Sequence, residues 1–186
     1  MKLIYTFTLL LLILALTSCN KGEYLNEPVY VYLDPEFGTD IKTEGKAIYL
    51  VDDSETYYFE LIYCLSDRLN NYNIFICESP VGCDFEIEIK DFDLKEKINP
   101  EKRMDNGDEL TFDLRKCKTN VTYSLYKGNN KLMHATRSDT DQEKLIYKHG
   151  DYLIEELNSA VFLQQIDRCA DEISRQISRN IAAYYN

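Results

Sequence analysis

The chain has 186 residues and a formal net charge of −11 at pH 7. This length is sufficient for one domain with a substantial hydrophobic core. The acidic excess argues against nucleic-acid binding, because phosphate contacts require clustered Lys and Arg side chains. It also disfavours unspecific adhesion to an anionic membrane surface.

The N-terminus has the pattern of a secretory signal. A positive start at Lys2 is followed by an apolar run from Leu3 to Leu16, which is too short for a typical membrane-spanning helix. The run ends in Leu16-Thr17-Ser18-Cys19, which resembles the lipobox of bacterial lipoproteins. We therefore predict a signal peptide at residues 1–18 and a lipidated Cys19; the alternative is a plain signal peptide with a chance cysteine.

Removal of residues 1–18 leaves 168 residues and a net charge of −12, since Lys2 is the only charged residue of the leader. Acylation with two or three chains is effectively permanent anchoring. An aspartate after the lipidated cysteine usually signals retention in the inner membrane, so Asn20 is compatible with the outer membrane. We expect a lipidated tether at residues 19–28, a single domain at 29–186, and localisation at the outer membrane.

Lipidation of one cysteine leaves an odd number for pairing, which allows at most two disulfides and one free thiol. These are Cys64, Cys77, Cys83, Cys117 and Cys169. Pro80 and Gly82 lie in the short loop between Cys77 and Cys83, so a disulfide between these two is feasible; buried free thiols are the alternative. The spacings contain no zinc pattern, and we expect no metal and no cofactor.

The first half of the chain predicts two strands and a helix. The alternating VYVYL at residues 29–33 is typical of a strand, a polar loop follows up to Gly45, and AIYLV at 47–51 is a second strand. A helix is predicted to begin at Ser54 and to end at Asn70-Asn71. Its apolar face is formed by Tyr58, Ile62, Leu65 and Leu69.

Four or five strands follow the helix. After YNIFIC at 72–77 comes a strand in which Cys83, Phe85, Ile87 and Ile89 point one way. The alternation then slips, which indicates a bulge at Lys90-Asp91 or a sheet with both faces partly covered. Residues 95–109 are polar and predict a mobile loop.

A second slip occurs in the next predicted strand. Leu110, Phe112 and Leu114 alternate with one parity, whereas Val121, Tyr123 and Leu125 follow the other. Gly128-Asn129-Asn130 predicts a hairpin turn, and residues 131–136 a returning strand.

The last element is a long helix, from about Asp151 or Ala160 to Tyr184. Its apolar stripe consists of Phe162, Ile166, Cys169, Ile173, Ile177 and Ile181. The element order predicts an α+β two-layer sandwich, with a mostly antiparallel sheet and two helices on one face.

No catalytic motif is present in the sequence. His134 and His149 lack a patterned acid or nucleophile nearby, and the chain has no nucleophile elbow, phosphate loop or HExxH motif. We therefore expect that the protein is not an enzyme.

The order of elements resembles the LptE-type lipopolysaccharide-assembly lipoproteins. The segments that carry the resemblance are VYVYL after the lipobox, AIYLV leading into the first helix, CDFEIEIKDF, LTFDLRKC, VTYSLYKGNNKLMHAT and the C-terminal helix. The resemblance implies a protein that sits as a plug inside the LptD β-barrel, assists its assembly and binds lipopolysaccharide.

The same resemblance implies ligand contacts to lipid A phosphates, for which basic residues of the later strands are the candidates: Arg115, Lys116, Lys118, Lys127, Lys131 and Arg137. Solvated charge on strand edges is the alternative explanation of these residues.

Two other functions remain open. One is an auxiliary lipoprotein of an ABC-type lipid transport system, and the other is a surface lipoprotein that binds a host or cell-wall partner.

Overall fold

The computed structural model describes residues 22–34, 40–45, 54–105, 108–145, 147–148, 151–152 and 161–186. The predicted signal peptide, Cys19, His149 and the predicted strand at 47–51 lie outside these residues.

The described chain forms eight strands and two helices. In chain order they are β1 Val29–Leu33, β2 Asp40–Gly45, α1 Ser54–Asn70, β3 Ile74–Cys77, β4 Phe85–Asp105, β5 Asp108–Lys127, β6 Asn130–Leu145, β7 Tyr147–Lys148, β8 Asp151–Tyr152 and α2 Val161–Tyr185.

Six of the strands form one sheet. Its order is β3-β1-β4-β5-β6, and β2 pairs with a later part of β4. The long ladders between β4, β5 and β6 are antiparallel, whereas β1 pairs in parallel with β3 and β4, and β2 in parallel with β4. The predicted α+β two-layer architecture is confirmed, with a mixed sheet. The parallel part arises because a helical connection, α1, lies between β1 and β3 in the chain.

Two segments predicted as loops are strands. The polar stretch before Gly45 contains β2, which pairs with β4 from Asp93 to Ile98. In the second segment, residues 95–105 belong to β4 and residues 108–109 to β5, where Lys95 pairs with Lys118 and Asp105 with Asp108. Both predictions were wrong because the two segments are rich in polar and charged residues, and most of their pairing partners are distant in the sequence.

The bulge predicted near Lys90 is confirmed. The register of β4 against β5 shifts between Ile89 and Asp91, so Ile87, Ile89, Phe92 and Leu94 are all buried. The slip near Cys117 has a different cause, because the β4–β5 register is continuous there. Phe112 and Leu114 consequently lie on the opposite face from buried Cys117 and are half-buried.

Both helices follow the predicted patterns. α1 begins at Ser54 and ends at Asn70, and it buries Leu61, Cys64, Leu65 and Leu69, whereas Tyr58 and Ile62 are half-buried. All six residues of the predicted α2 stripe are buried. The helix begins at Val161, close to the later of the two predicted starts, and Asp151 lies in β8 instead.

The chain is packed against the domain before β1 begins. The Leu25 side chain is buried in the core, and its backbone N–H donates to the Tyr72 carbonyl at 3.1 Å. The Asn73 amide donates to the Leu25 carbonyl at 3.0 Å, and the Glu23 N–H donates to Ser178 Oγ at 3.0 Å. Residues 23–25 of the segment predicted as a tether are thus held in place.

A buried ion pair lies between the sheet and the start of α2. Arg115 Nε donates to Glu96 Oε1 at 2.6 Å, and both side chains are fully buried. The guanidinium carbon of Arg115 is 5.9 Å from the centre of the Phe162 ring. Arg115 was predicted as a ligand contact; this is corrected, because a fully buried side chain beneath α2 does not reach a surface ligand.

We expect that Arg115→Met lowers the free energy of unfolding by about 3–5 kcal/mol, because it leaves the Glu96 carboxylate buried without this partner. Glu96→Leu combined with Arg115→Met should recover most of the loss, since no buried charge then remains. Urea unfolding of the two single variants and the double variant measures both effects. Additive losses in the double variant would contradict this description of the pair.

Stability should also fall at alkaline pH. Burial raises the pKa of the Cys169 thiol to about 12, and burial followed by the Glu60 hydrogen bond raises the pKa of the Cys64 thiol to about 12. Thiols of the unfolded chain titrate near pH ~8.5. The unfolded state therefore loses these protons first, and the stabilisation present below that pH is lost progressively as the pH rises toward 12.

The measurement is urea unfolding at pH 7, 9 and 10.5 under reducing conditions. The slope of the unfolding free energy against pH should be shallower in a variant with Cys64→Ala and Cys169→Ala. An identical slope in this variant and the unaltered protein would contradict the prediction.

Candidate functional site

The sheet has one face covered by the helices and one face that no described helix covers. We call the second the open face and define it by three groups of side chains: an aromatic end (Tyr30, Tyr32, Phe75, Tyr126), a polar ladder (Asn120, Thr122, Ser124, His134, Thr136, Ser138) and two lysine rows (Lys95 with Lys118, Lys97 with Lys116). Alternation along β4 and β5 produces this division, since residues on the helix side are buried, among them Phe92, Val121 and Tyr123.

The aromatic end is formed where β3, β1, β4 and β5 lie side by side. Tyr30 is 48% exposed and Phe75 37%, and their ring centres are 6.0 Å apart on paired positions of β1 and β3. On β5, the Tyr126 ring lies 5.5 Å from Lys131 Nζ. Adjacent exposed aromatic rings are typical of a surface that contacts an apolar partner.

The polar ladder consists of hydrogen-bonded pairs between β5 and β6. Thr122 and Thr136 hydroxyls are 3.0 Å apart, and Ser124 Oγ is 2.9 Å from His134 Nδ1. Ser138 Oγ donates to Asn120 Oδ1. These groups satisfy one another and can exchange their hydrogen bonds with hydroxyls or phosphates of a ligand.

The lysine rows place like charges directly opposite one another. Lys95 on β4 pairs in register with Lys118 on β5, and Lys97 pairs with Lys116. Side chains of directly opposed residues are about 4.5–5.5 Å apart at Cβ, and like charges at this separation are destabilising. Lys42 on β2 is the register partner of Lys95 on the other side of β4, and Glu44 is the register partner of Lys97. This concentration of positive charge is unusual in a chain of net charge −11.

The structure separates the six predicted ligand residues. Lys116 and Lys118 lie together in the lysine rows, and Lys131 lies at the aromatic end of the same face. Lys127 is outside the open face, with Nζ 4.7 Å from the Phe85 ring centre and 3.8 Å from Asp84. Arg137 also lies outside the open face: its Nε is 3.7 Å from Glu172 of α2. With Arg115 buried, half of the predicted set belongs to the open face.

Sequence reasoning missed Lys95 and Lys97 because they fell in the segment predicted as a loop. Their spacing of two residues, matched by Lys116 and Lys118, was the available signal, and it becomes meaningful only when the register is known.

A second basic group combines Arg137 of the predicted set with two arginines that sequence reasoning missed. Arg137 of β6 and Arg175 and Arg179 of α2, with Glu172, line a surface pocket of about 270 Å³. Arg175 Nη2 is 2.6 Å from the carboxylate of Asp171, one turn earlier on α2. We call Arg137, Arg175 and Arg179 the arginine cluster. Helical spacing brings two of them together, but only the fold adds the third.

The cysteines have two distinct environments. The structure joins Cys77 and Cys83 by a disulfide, and Cys77 pairs in register with Tyr32 of the open face. Cys64, Cys117 and Cys169 are buried free thiols. The disulfide closes the turn beside the aromatic end, where Gly82 has a φ of 87° that favours glycine.

Neither described helix is apolar over a long enough stretch to cross a bilayer. Among the described residues, no group of three or more potential ligands is arranged around a metal position.

No protein-family model matches the chain, and no curated protein sequence matches it. Solved structures share its fold. An uncharacterised lipoprotein B from Nitrosomonas europaea superposes with a TM-score of 0.51 at 12% identity, over 86% of this chain and 90% of that one. Two further likenesses have TM-scores below 0.5 and support no argument. A minor lipoprotein from Acinetobacter baumannii has a TM-score of 0.46 and 18% identity over 83% and 96% of the chains. A proposed neuraminyllactose-binding hemagglutinin homologue from Helicobacter pylori has a TM-score of 0.48 and 12% sequence identity, over 87% of this chain and 89% of that one. A bacterial lipoprotein is thus similar to this chain in structure, and at 12% identity the similarity concerns the fold alone.

Proposed function

We propose that this protein is a lipid-anchored, non-enzymatic component of the outer membrane that assists lipopolysaccharide assembly as the partner of a β-barrel translocon. The observation that carries the proposal is the open face, which combines exposed aromatic rings with opposed lysines. In this proposal Cys19 carries the lipid, the aromatic end contacts the barrel wall, and the lysine rows bind lipopolysaccharide phosphates.

The lysine rows support an anionic ligand. Direct opposition of Lys95 with Lys118 costs about 0.2–1 kcal/mol in the free protein. A phosphate bound between the two ammonium groups removes the repulsion and adds charge-assisted contacts. Because the chain as a whole is acidic, an anion is attracted to basic patches such as this one and repelled by the acidic parts of the surface.

The aromatic end supports a protein partner. Tyr30 and Phe75 present adjacent rings at paired positions of the parallel strands β1 and β3. Aromatic side chains in such a setting give large contact area at low cost in conformational entropy. The aromatic end and the lysine rows lie at opposite ends of the open face, so the protein can contact a barrel wall and a lipid headgroup at the same time.

In this proposal His134 has a structural role in the polar ladder. Its Nδ1 is hydrogen-bonded to Ser124, whose side chain is buried, and both belong to the ladder between β5 and β6. This pair stabilises strand pairing, and its neighbours in the ladder are threonines.

One observation favours a second candidate, a surface lipoprotein that binds a host or cell-wall partner. Phe59 and Tyr63, one helical turn apart on α1, are 57% and 69% exposed. They form an aromatic surface on the helix layer, opposite the open face, and leave room for a partner other than the barrel.

The test is co-purification from the native host in mild detergent. The tagged full-length protein should recover a large β-barrel in stoichiometric amount, and Tyr30→Glu with Phe75→Glu should lose it because two charges then face the barrel wall. Phe59→Glu with Tyr63→Glu is the matched control and should retain the barrel. Loss in the control alone, or no barrel in any sample, would contradict the proposal and favour the surface lipoprotein.

Lipopolysaccharide binding is tested separately with the same preparation. Replacement of Lys116 and Lys118 by glutamine should weaken binding of purified lipopolysaccharide by roughly tenfold or more, at about 1 kcal/mol for each phosphate contact. Lys127→Gln, outside the open face, should leave the affinity unchanged. Equal losses in the two variants would contradict a role for the lysine rows.

A further inference from the structure

Residues 22 and 23 of the described chain lie beside two residues of the arginine cluster. Gly22 lies against the Tyr72 ring so closely that any side chain at position 22 would overlap it. The next residue, Glu23, donates its N–H to Ser178 Oγ at 3.0 Å, and Ser178 is adjacent in sequence to Arg179. Ser178 Oγ in turn donates to the Arg175 carbonyl at 3.0 Å. Glu23 therefore lies within one helical turn of two of the three arginines, Arg175 and Arg179.

The link between Cys19 and Gly22 is short. Three residues span at most about 11 Å when fully extended. If Cys19 is acylated, as the proposed function requires, the glycerol group of the attached lipid lies in the headgroup region of the membrane. The surface around Gly22 is then held against that region, whereas the far end of β4 is not.

The arginine cluster carries more positive charge than its carboxylate partners neutralise. Its pocket is lined by three guanidinium groups and one carboxylate, Glu172, and Arg175 is also paired with Asp171 at 2.6 Å. Guanidinium groups bind phosphate oxygens in bidentate geometry, which Lys cannot do. Exposed Tyr24, two residues after Gly22, adds an aromatic ring of the kind enriched at membrane interfaces.

We propose that the arginine cluster binds headgroup phosphates of the leaflet that holds the Cys19 acyl chains, and thereby fixes the orientation of the domain on the membrane. This inference rests on lipidation of Cys19, which belongs to the proposed function, and it requires neither the barrel nor lipopolysaccharide. It assigns the two basic groups to different ligands: the arginine cluster to the membrane of the anchor, and the lysine rows to the transported lipid.

The test uses the lipidated full-length mature protein in vesicles of phosphatidylethanolamine and phosphatidylglycerol. A fluorophore is placed at Ala183→Cys, two turns after Arg175 and one turn after Arg179 on α2, or at Glu101→Cys. The two positions lie far apart along the sheet. Phe85, at the start of β4, contacts Tyr184 at the C-terminal end of α2, whereas Glu101 lies near the other end of β4. Because the native free thiols are buried, only the introduced cysteine reacts. Energy transfer to acceptors on the vesicle surface reports which end faces the lipid.

Transfer should be high from position 183 and low from position 101. Arg175→Gln with Arg179→Gln should reduce the ratio of docked to undocked domain about 30-fold, which corresponds to about 1 kcal/mol for each arginine near the surface. Lys116→Gln with Lys118→Gln removes the same charge from the open face and should retain the orientation. High salt should weaken docking of the unaltered protein.

Equal transfer from the two positions in the unaltered protein would overturn the inference, as would equal losses in the arginine and lysine variants. Mass spectrometry of the same sample shows whether Cys19 carries acyl chains, and an unmodified cysteine would also overturn it. Because the vesicles contain no β-barrel and no lipopolysaccharide, a negative result here leaves the barrel partnership to its own test.

Discussion

The contact between the apolar stripe of α2 and the sheet determines which surfaces the protein presents. Ile166, Ile173 and Ile177 are fully buried in one cluster with Ile87, Leu94 and other residues of the sheet. A single stripe on one helix covers only one side of a sheet, and α1 packs beside α2 on that same side. The other side therefore keeps whatever residues the alternation of the strands places there. In this chain they are aromatic rings, a polar ladder and lysines.

The length of β4 is the second determinant. This strand runs from Phe85 to Asp105 and pairs with β1 near its start, with β2 further along, and with β5 over most of its length. The bulge between Ile89 and Asp91 keeps its apolar residues on the helix side along this length. Without the extra residue, Phe92 and Leu94 would face outward, and Lys95 would face α2. One local irregularity thus maintains both the core and the lysine rows.

Local patterns in the sequence were sufficient for the helices, for β1, for the bulge and for the two-layer class. The 3.6-residue period of α2 and the two-residue period of VYVYL are strong signals because the buried face of each element must be apolar, whichever element packs against it. The strands of the long hairpin were missed because residues 95–105 are mostly charged, and strand pairing there depends on register with residues far along the chain.

The candidate site was accessible only in part, for the same reason. Lys116 and Lys118 could be selected as basic residues of a strand, but their opposition to Lys97 and Lys95 is a property of register. Arg115 is also basic and is adjacent in sequence to Lys116, yet it is buried beside Glu96. The reason is that odd-numbered residues in this part of β5 face the helices and even-numbered residues face outward. Charge alone did not distinguish a ligand contact from a core ion pair.

The proposed function requires that the open face, and not the helix layer, contacts a β-barrel in the membrane. Site-specific photo-crosslinking in the native host tests it most directly, with a photoreactive amino acid at Tyr30 on the open face or at Tyr63 on α1. We expect a covalent adduct with a large outer-membrane β-barrel from position 30 and little or none from position 63. An adduct with the barrel from position 63 alone would contradict it, and so would the absence of a barrel adduct from both positions.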